Sequence, residues 1–167
     1  MKRIKINESQ RIRLFEAYNS DLYHFTNLDG IYGILKSNSL NMIMTDDEEA
    51  VCLSRTSNPY IGYMPNTRYG LIFRITLDTN KLMSSSRGMS IKPWSQNNPR
   101  TEKIYDKFYS VSDYEERAYS DINPLSKYCK RIDVFPEVKN SSLDKEQMAI
   151  IQKLLDEFTS WRKYFNR

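Results

Sequence analysis

The chain has 167 residues, 40% hydrophobic, with 25 Lys and Arg against 21 Asp and Glu, a formal net charge of +4. That length supports one domain with a proper core, and the small basic excess permits an anionic ligand or a nucleic-acid partner while requiring neither. One histidine and two cysteines without metal-type spacing argue against a structural zinc site.

The chain divides into an N-terminal arm and helix (1–20), a central domain (21–136) and a C-terminal helix packed on that same domain (137–167). Met1–Ile6 alternates basic and apolar residues, and Ile12 and Phe15 then mark one side of a helix ending near Tyr18. The opening MKRIKINESQ has no apolar signal core and no apolar run in the chain reaches a membrane span. The expectation is a cytoplasmic protein with no membrane partner. Cys52 and Cys129 adjoin apolar segments, which predicts buried thiols in a reducing compartment.

Asp21–Leu40, DLYHFTNLDGIYGILKSNSL, is the stretch around which the rest of the chain is organised. Leu22, Tyr23 and Phe25 read as a short strand carrying the single histidine, His24. Asn27 can cap a helix by accepting from its first-turn amides, and Leu28, Ile31, Ile34 and Leu35 come next at helical spacing. A strand, an imidazole and a helix N-terminus in succession suit a phosphate-bearing ligand such as NAD. A histidine at a strand end can equally serve packing.

Asn41–Met44 is expected to be a short strand, and the acidic run Asp46–Glu49 a solvated connector, since adjacent carboxylates point apart and no histidine stands near. Ala50–Ser54 is an apolar strand ending in Ser54-Arg55. A loop over Ser57–Arg68 carries Tyr60 and Tyr63. Tyr69–Asp78 is the clearest strand, with Leu71, Phe73, Ile75 and Leu77 on one face. Asn80–Arg100 lacks periodicity and reads as an ordered, ligand-facing loop around Trp94. Glu102–Tyr109 suggests a short helix, and Glu115–Tyr119 a strand that opens on two acids. Asn123 is placed to cap a short helix begun by Pro124. Lys130–Phe135 is a last strand, and Ser142 is expected to cap the C-terminal helix, whose apolar stripe runs from Leu143 to Trp161.

His24, then Ser54-Arg55, then Glu115-Glu116-Arg117 come in an order that resembles the ADP-ribosyltransferase superfamily. The nearest likeness is to the DarT-type DNA ADP-ribosyltransferases, carried by His24-Phe25-Thr26-Asn27-Leu28 and by an acid-bearing strand followed by Ile122-Asn123-Pro124-Leu125 and Arg131-Ile132-Asp133-Val134. The likeness covers about residues 20–135 of the sequence. RNA 2′-phosphotransferases share that fold and a similar histidine region. The resemblance implies an α+β fold built on a split, mostly antiparallel sheet with flanking helices. It also implies NAD as substrate, with His24, Thr26, Ser54, Arg55, Tyr60 and Tyr63 around it. The implied activity is mono-ADP-ribosylation of a protein or nucleic-acid acceptor. A 2′-phosphotransferase, or a non-catalytic binding or inhibitor protein with an ADP-ribose-shaped cleft, stands as the alternative.

The chemistry has its own requirements. Cleaving the nicotinamide–ribose bond builds positive charge on the ribose, which a nearby carboxylate stabilises. Glu115 and Glu116 are both candidates for the catalytic acid. Neighbours in a strand face opposite ways, so only one can face a cleft. Arg117 shares the side of Glu115 and would pair with it, whereas Ala118 beside Glu116 leaves room for a ribose, which favours Glu116. Arg55 is expected to offset the diphosphate charge, and Tyr60 or Tyr63 to stack on the nicotinamide.

Overall fold

A computed structural model of the chain describes residues 21–44, 48–60, 67, 69–84, 91–93 and 115–166. The expected N-terminal helix, Tyr63, Trp94 and the helix over Glu102–Tyr109 lie outside the described residues.

The strands are β1 (Leu22–Thr26), β2 (Ile43–Met44), β3 (Glu49–Ser54), β4 (Leu71–Leu77), β5 (Ile91–Pro93), β6 (Glu115–Ala118) and β7 (Cys129–Pro136). The α-helices among the described residues are α1 (Leu28–Ser37), α2 (Thr79–Met83) and α3 (Lys145–Glu157). Among the described residues all pairs between these strands are antiparallel, in the order β5-β6-β3-β1-β4-β7, with β2 on β3. The fold is therefore α+β with an open, antiparallel sheet.

Leu71, Phe73, Ile75 and Leu77 on β4, Leu22 on β1, Val51 and Leu53 on β3 and Ile132 on β7 are buried in one core with Ile31 and Leu35 of α1 and Ile151 and Leu154 of α3. Both helices thus cover the same side of the sheet. They meet each other as well, Tyr32 packing edge-on against Phe158 with ring centroids 5.0 Å apart and donating its hydroxyl to Glu157. The opposite face of β4 is enclosed too: Ile72 and Thr76 are buried.

Asn27 caps α1 as its sequence suggests, its side-chain oxygen accepting from the Gly30 amide at 2.9 Å. The first turn lies so close to β1 that a Cβ on Gly30 would sit 2.0 Å from Thr26 Oγ1, so any larger residue here would force the Thr26 side chain to move. At the other end Asn38 adopts a left-handed conformation at φ 53°. Its side chain accepts from the Ser126 amide at 2.8 Å, and its carbonyl accepts from Leu125 at 2.7 Å.

That contact replaces the cap assigned to Asn123. The short element at Leu125–Lys127 is a 3-10 turn preceded by Pro124, without a side-chain cap. The C-terminal helix also begins later than expected, because Asp144 forms a capping box with Gln147 where Ser142 had been placed. It ends at Glu157, and Trp161 belongs to a following 3-10 stretch, Thr159–Tyr164. Within Asn80–Arg100, read as loop, α2 and β5 form; β5 pairs along β6, with Ile91 opposite Ala118. Three residues are too few to show alternation, so pairing rather than pattern makes this strand. Cys129 is buried, and burial pushes its thiol up to about 12, consistent with an inert packed thiol; Cys52 is half-buried.

Candidate functional site

Register determines which polar residues share a surface. On the core side of the sheet, β1 contributes His24 and Thr26, whose partners on β4 are Ile75 and Phe73. On β6, Glu116 lies opposite Leu53, and Ala118 opposite Val51. Arg55, just past β3, points the same way, its Nε–H donating to Glu116 Oε1 at 2.9 Å. Both side chains are largely buried, 15% exposed for Arg55 and 9% for Glu116. A pair this enclosed holds the carboxylate in one place, since a lone buried charge would cost several kcal/mol. His24 and Glu116 sit two strands apart, about 10 Å across the sheet.

The sheet opens between β1 and β3. β1 is in register with β4 along its whole length, from Leu22 opposite Leu77 to Thr26 opposite Phe73, but with β3 only at Tyr23 opposite Ser54. His24 crosses that gap, Nδ1 lying 2.9 Å from the Cys52 carbonyl oxygen. A carbonyl can only accept, so Nδ1 carries the proton. In the neutral ring Nε2 is left as an acceptor, with no hydrogen-bond partner among the described residues. Burial lowers the His24 pKa below its ordinary value of 6.5, and the hydrogen bond to Cys52 opposes this only partly. The imidazole is therefore neutral near pH 7.

This lowered pKa links His24 to folding. Below pH 6.5 the unfolded chain takes up a proton at His24 that the folded chain refuses. The stability supplied by the neutral ring is complete above that value and declines as the pH falls toward the lowered pKa. Urea titrations from about pH 8 down to about pH 5 should show this decline, and His24→Asn, which keeps a donor for Cys52, should flatten it. An unaltered slope in the variant would assign the acid sensitivity to other groups.

Two expected ligand residues lie elsewhere. Ser54 is on the other face of the sheet, paired with Tyr23 and Glu115; its hydroxyl closes a turn by accepting from the Thr56 amide at 3.1 Å. Tyr60 donates its hydroxyl to the Pro136 carbonyl at 2.9 Å, at the end of β7. β7 lies four strand spacings from β6, about 19 Å across the sheet, too far for Tyr60 to stack beside Glu116 as assigned. The loop after Ser54 crosses toward β7, and this no local pattern revealed. Arg55, assigned to a diphosphate, commits its Nε–H to Glu116.

Glu115 faces away from Glu116, and Arg117 donates to it at 3.0 Å, as the alternation implied. Arg117 also donates to Glu48 Oε1 at 2.7 Å, and Tyr119 donates to the same oxygen at 3.0 Å. Burial and the bond to Glu48 push the Tyr119 hydroxyl up to about 12. Glu48 is thus no member of a purely solvated acidic run, although Asp46 and Asp47 lie outside the described residues. Among the described residues no cluster of acids, cysteines and histidine could hold a metal ion. No helix among them is long and apolar enough to cross a membrane.

A third polar group escaped the sequence reading. Arg74 donates to Asp133 Oδ2 through Nε at 3.2 Å and Nη2 at 2.8 Å, and its guanidinium lies over the rings of Tyr23 and Phe135. Arg131 also reaches Asp133, at 2.9 Å. A lone arginine in an apolar strand facing a lone aspartate in another was the available signal. Comparison of the chain with protein-family models, curated proteins and solved structures gives no match.

Proposed function

We propose that the chain is a mono-ADP-ribosyltransferase that uses NAD as substrate and modifies a protein or nucleic-acid acceptor. The observation that carries this reading is the shared core-side face of His24, Thr26, Arg55 and Glu116, with the Glu116 carboxylate held by Arg55 at 2.9 Å. These residues lie far apart in sequence and bring an acceptor nitrogen, a fixed guanidinium and a fixed carboxylate to one surface.

In the reaction, the bond from ribose C1′ to nicotinamide breaks and its electron pair leaves with nicotinamide. A heteroatom of the acceptor forms the new bond to C1′ and gives its proton to Glu116, which passes it to water. Glu116 stabilises the positive charge of the ribose in the transition state, where a preorganised charge in a dry site has its largest effect. Arg55 orients that carboxylate through its Nε–H. His24, neutral and with Nε2 as acceptor, can take a hydrogen bond from a ribose hydroxyl of NAD.

The Arg55–Glu116 pair also favours a second reading. A carboxylate already neutralised by an arginine suits a cleft that binds ADP-ribose without turning it over. Incubating the purified chain with NAD, with and without single-stranded DNA, RNA or protein acceptors, distinguishes the two. Free nicotinamide accumulating with the protein concentration is expected. Saturable NAD binding without nicotinamide would support the binding protein, and absence of both would end the proposal.

A further inference from the structure

β6 presents a problem of specification. It has four residues, Glu115–Ala118, and Ala118 is its one apolar side chain. Register is normally imposed by an apolar face, and sliding a strand by one residue moves every side chain to the other side of the sheet. In β6 such a slip would exchange Glu116 for Glu115 or Arg117 on the core side. The backbone ladder to β3 does not resist this, because its hydrogen bonds are the same for any sequence.

The front of the strand has one polar restraint, Glu116 on Arg55 at 2.9 Å, and the back adds two more onto a single oxygen of Glu48. Arg117 is 6% exposed and donates to Glu48, the residue before β3, at 2.7 Å. Glu115, two residues earlier on the same face, orients that guanidinium from 3.0 Å. Tyr119 places a second donor on the same Glu48 oxygen. The strand is anchored further along where Ile122 bridges to Leu40, but the bend at Tyr119 and Ser120 intervenes. We infer that Arg117, through Glu48, is the positioning residue that locks β6 in register on β3 and so sets Glu116, rather than Glu115 or Arg117, on the core-side face. A registered Arg117 would lose its Glu48 contact on any one-residue slip, since it would then project from the opposite side. Polar groups fixing register where apolar pattern cannot are known from other folds. The catalytic consequence rests on the function proposed above; the register itself does not.

The test therefore has two readouts on the full chain. The first is structural: cross-strand proton NOEs for Leu53–Glu116 and Val51–Ala118, with those of Leu22–Leu77 and Thr26–Phe73 between β1 and β4 as internal reference. The second is nicotinamide release from NAD. In Arg117→Leu the β3–β6 NOEs should be lost while the β1–β4 NOEs persist, and kcat should fall at least about tenfold with KM little changed, as expected when a transition-state group is misplaced. Arg117→Lys, which retains a cation within reach of Glu48, should restore both in part. Glu48→Gln alters a more exposed group and should weaken the same NOEs even if Arg117→Leu does not fold. Unchanged β3–β6 NOEs in Arg117→Leu, or in Glu48→Gln where Arg117→Leu does not fold, would overturn the inference. If the parent chain releases no nicotinamide, the proposed activity fails while the NOE comparison still decides the register lock.

Discussion

Glu116→Gln is expected to abolish nicotinamide release, a loss on the order of 100-fold or more, while NAD still binds. Glutamine keeps the size of the side chain and an oxygen for the Arg55 Nε–H, which now lies 2.9 Å from Glu116 Oε1. What it removes is the charge that opposes the developing positive ribose, and that term belongs to the transition state. The largely buried Arg55 guanidinium loses the Glu116 charge, so a lower melting temperature is expected as well, and rates must be compared where circular dichroism shows a folded chain. Calorimetry with NAD separates binding from turnover. Glu115→Gln is the control: Glu115 faces the other side of the sheet, and Arg117 retains Glu48 without it. It should keep most of the activity. Full activity in both variants would remove the carboxylate from the mechanism, and loss in Glu115→Gln alone would reverse the assignment.

The largest loss of stability is expected from Asp133→Ala. Asp133 accepts from Arg74, from Arg131 at 2.9 Å and from Asn166 at 3.2 Å, and its side chain is only 10% exposed. Removing it strands the Arg74 guanidinium, 11% exposed, between β4 and the Tyr23 and Phe135 rings with no counter-charge. Breaking such a pair by deleting one partner costs about 3–5 kcal/mol, most of it the penalty on the survivor. Arg74→Leu in the same background should recover part of the loss, because the uncompensated cation is then gone. Urea titrations of the parent, both single variants and the double variant give the coupling directly. A loss below about 1 kcal/mol in Asp133→Ala would place the pair among surface ion pairs of little weight.

Much of this molecule comes from local chemistry alone. The Asn27 cap, the helix after it and the apolar side of β4 need only the competition between side chains and backbone for hydrogen bonds and the periodicities of helix and strand. So does the placing of Glu115 and Glu116 on opposite faces, since neighbours in any strand face opposite ways, and Arg117 two residues on must join Glu115. Tertiary structure decided what depends on register and strand order. Nothing in His24 or its neighbours specifies the Cys52 carbonyl 28 positions away; the opening between β1 and β3 makes that bond. Arg55 meets Glu116 because β3 and β6 are neighbours in the sheet, and Tyr60 is drawn to Pro136 because its loop crosses toward β7, at the far edge. Ser54 turns away from the site by strand alternation once Tyr23 is set opposite it. Ladder hydrogen bonds are indifferent to sequence, so a short strand such as β5 or β6 acquires its identity from its partners, and the residues it offers to a site are chosen by the sheet as a whole.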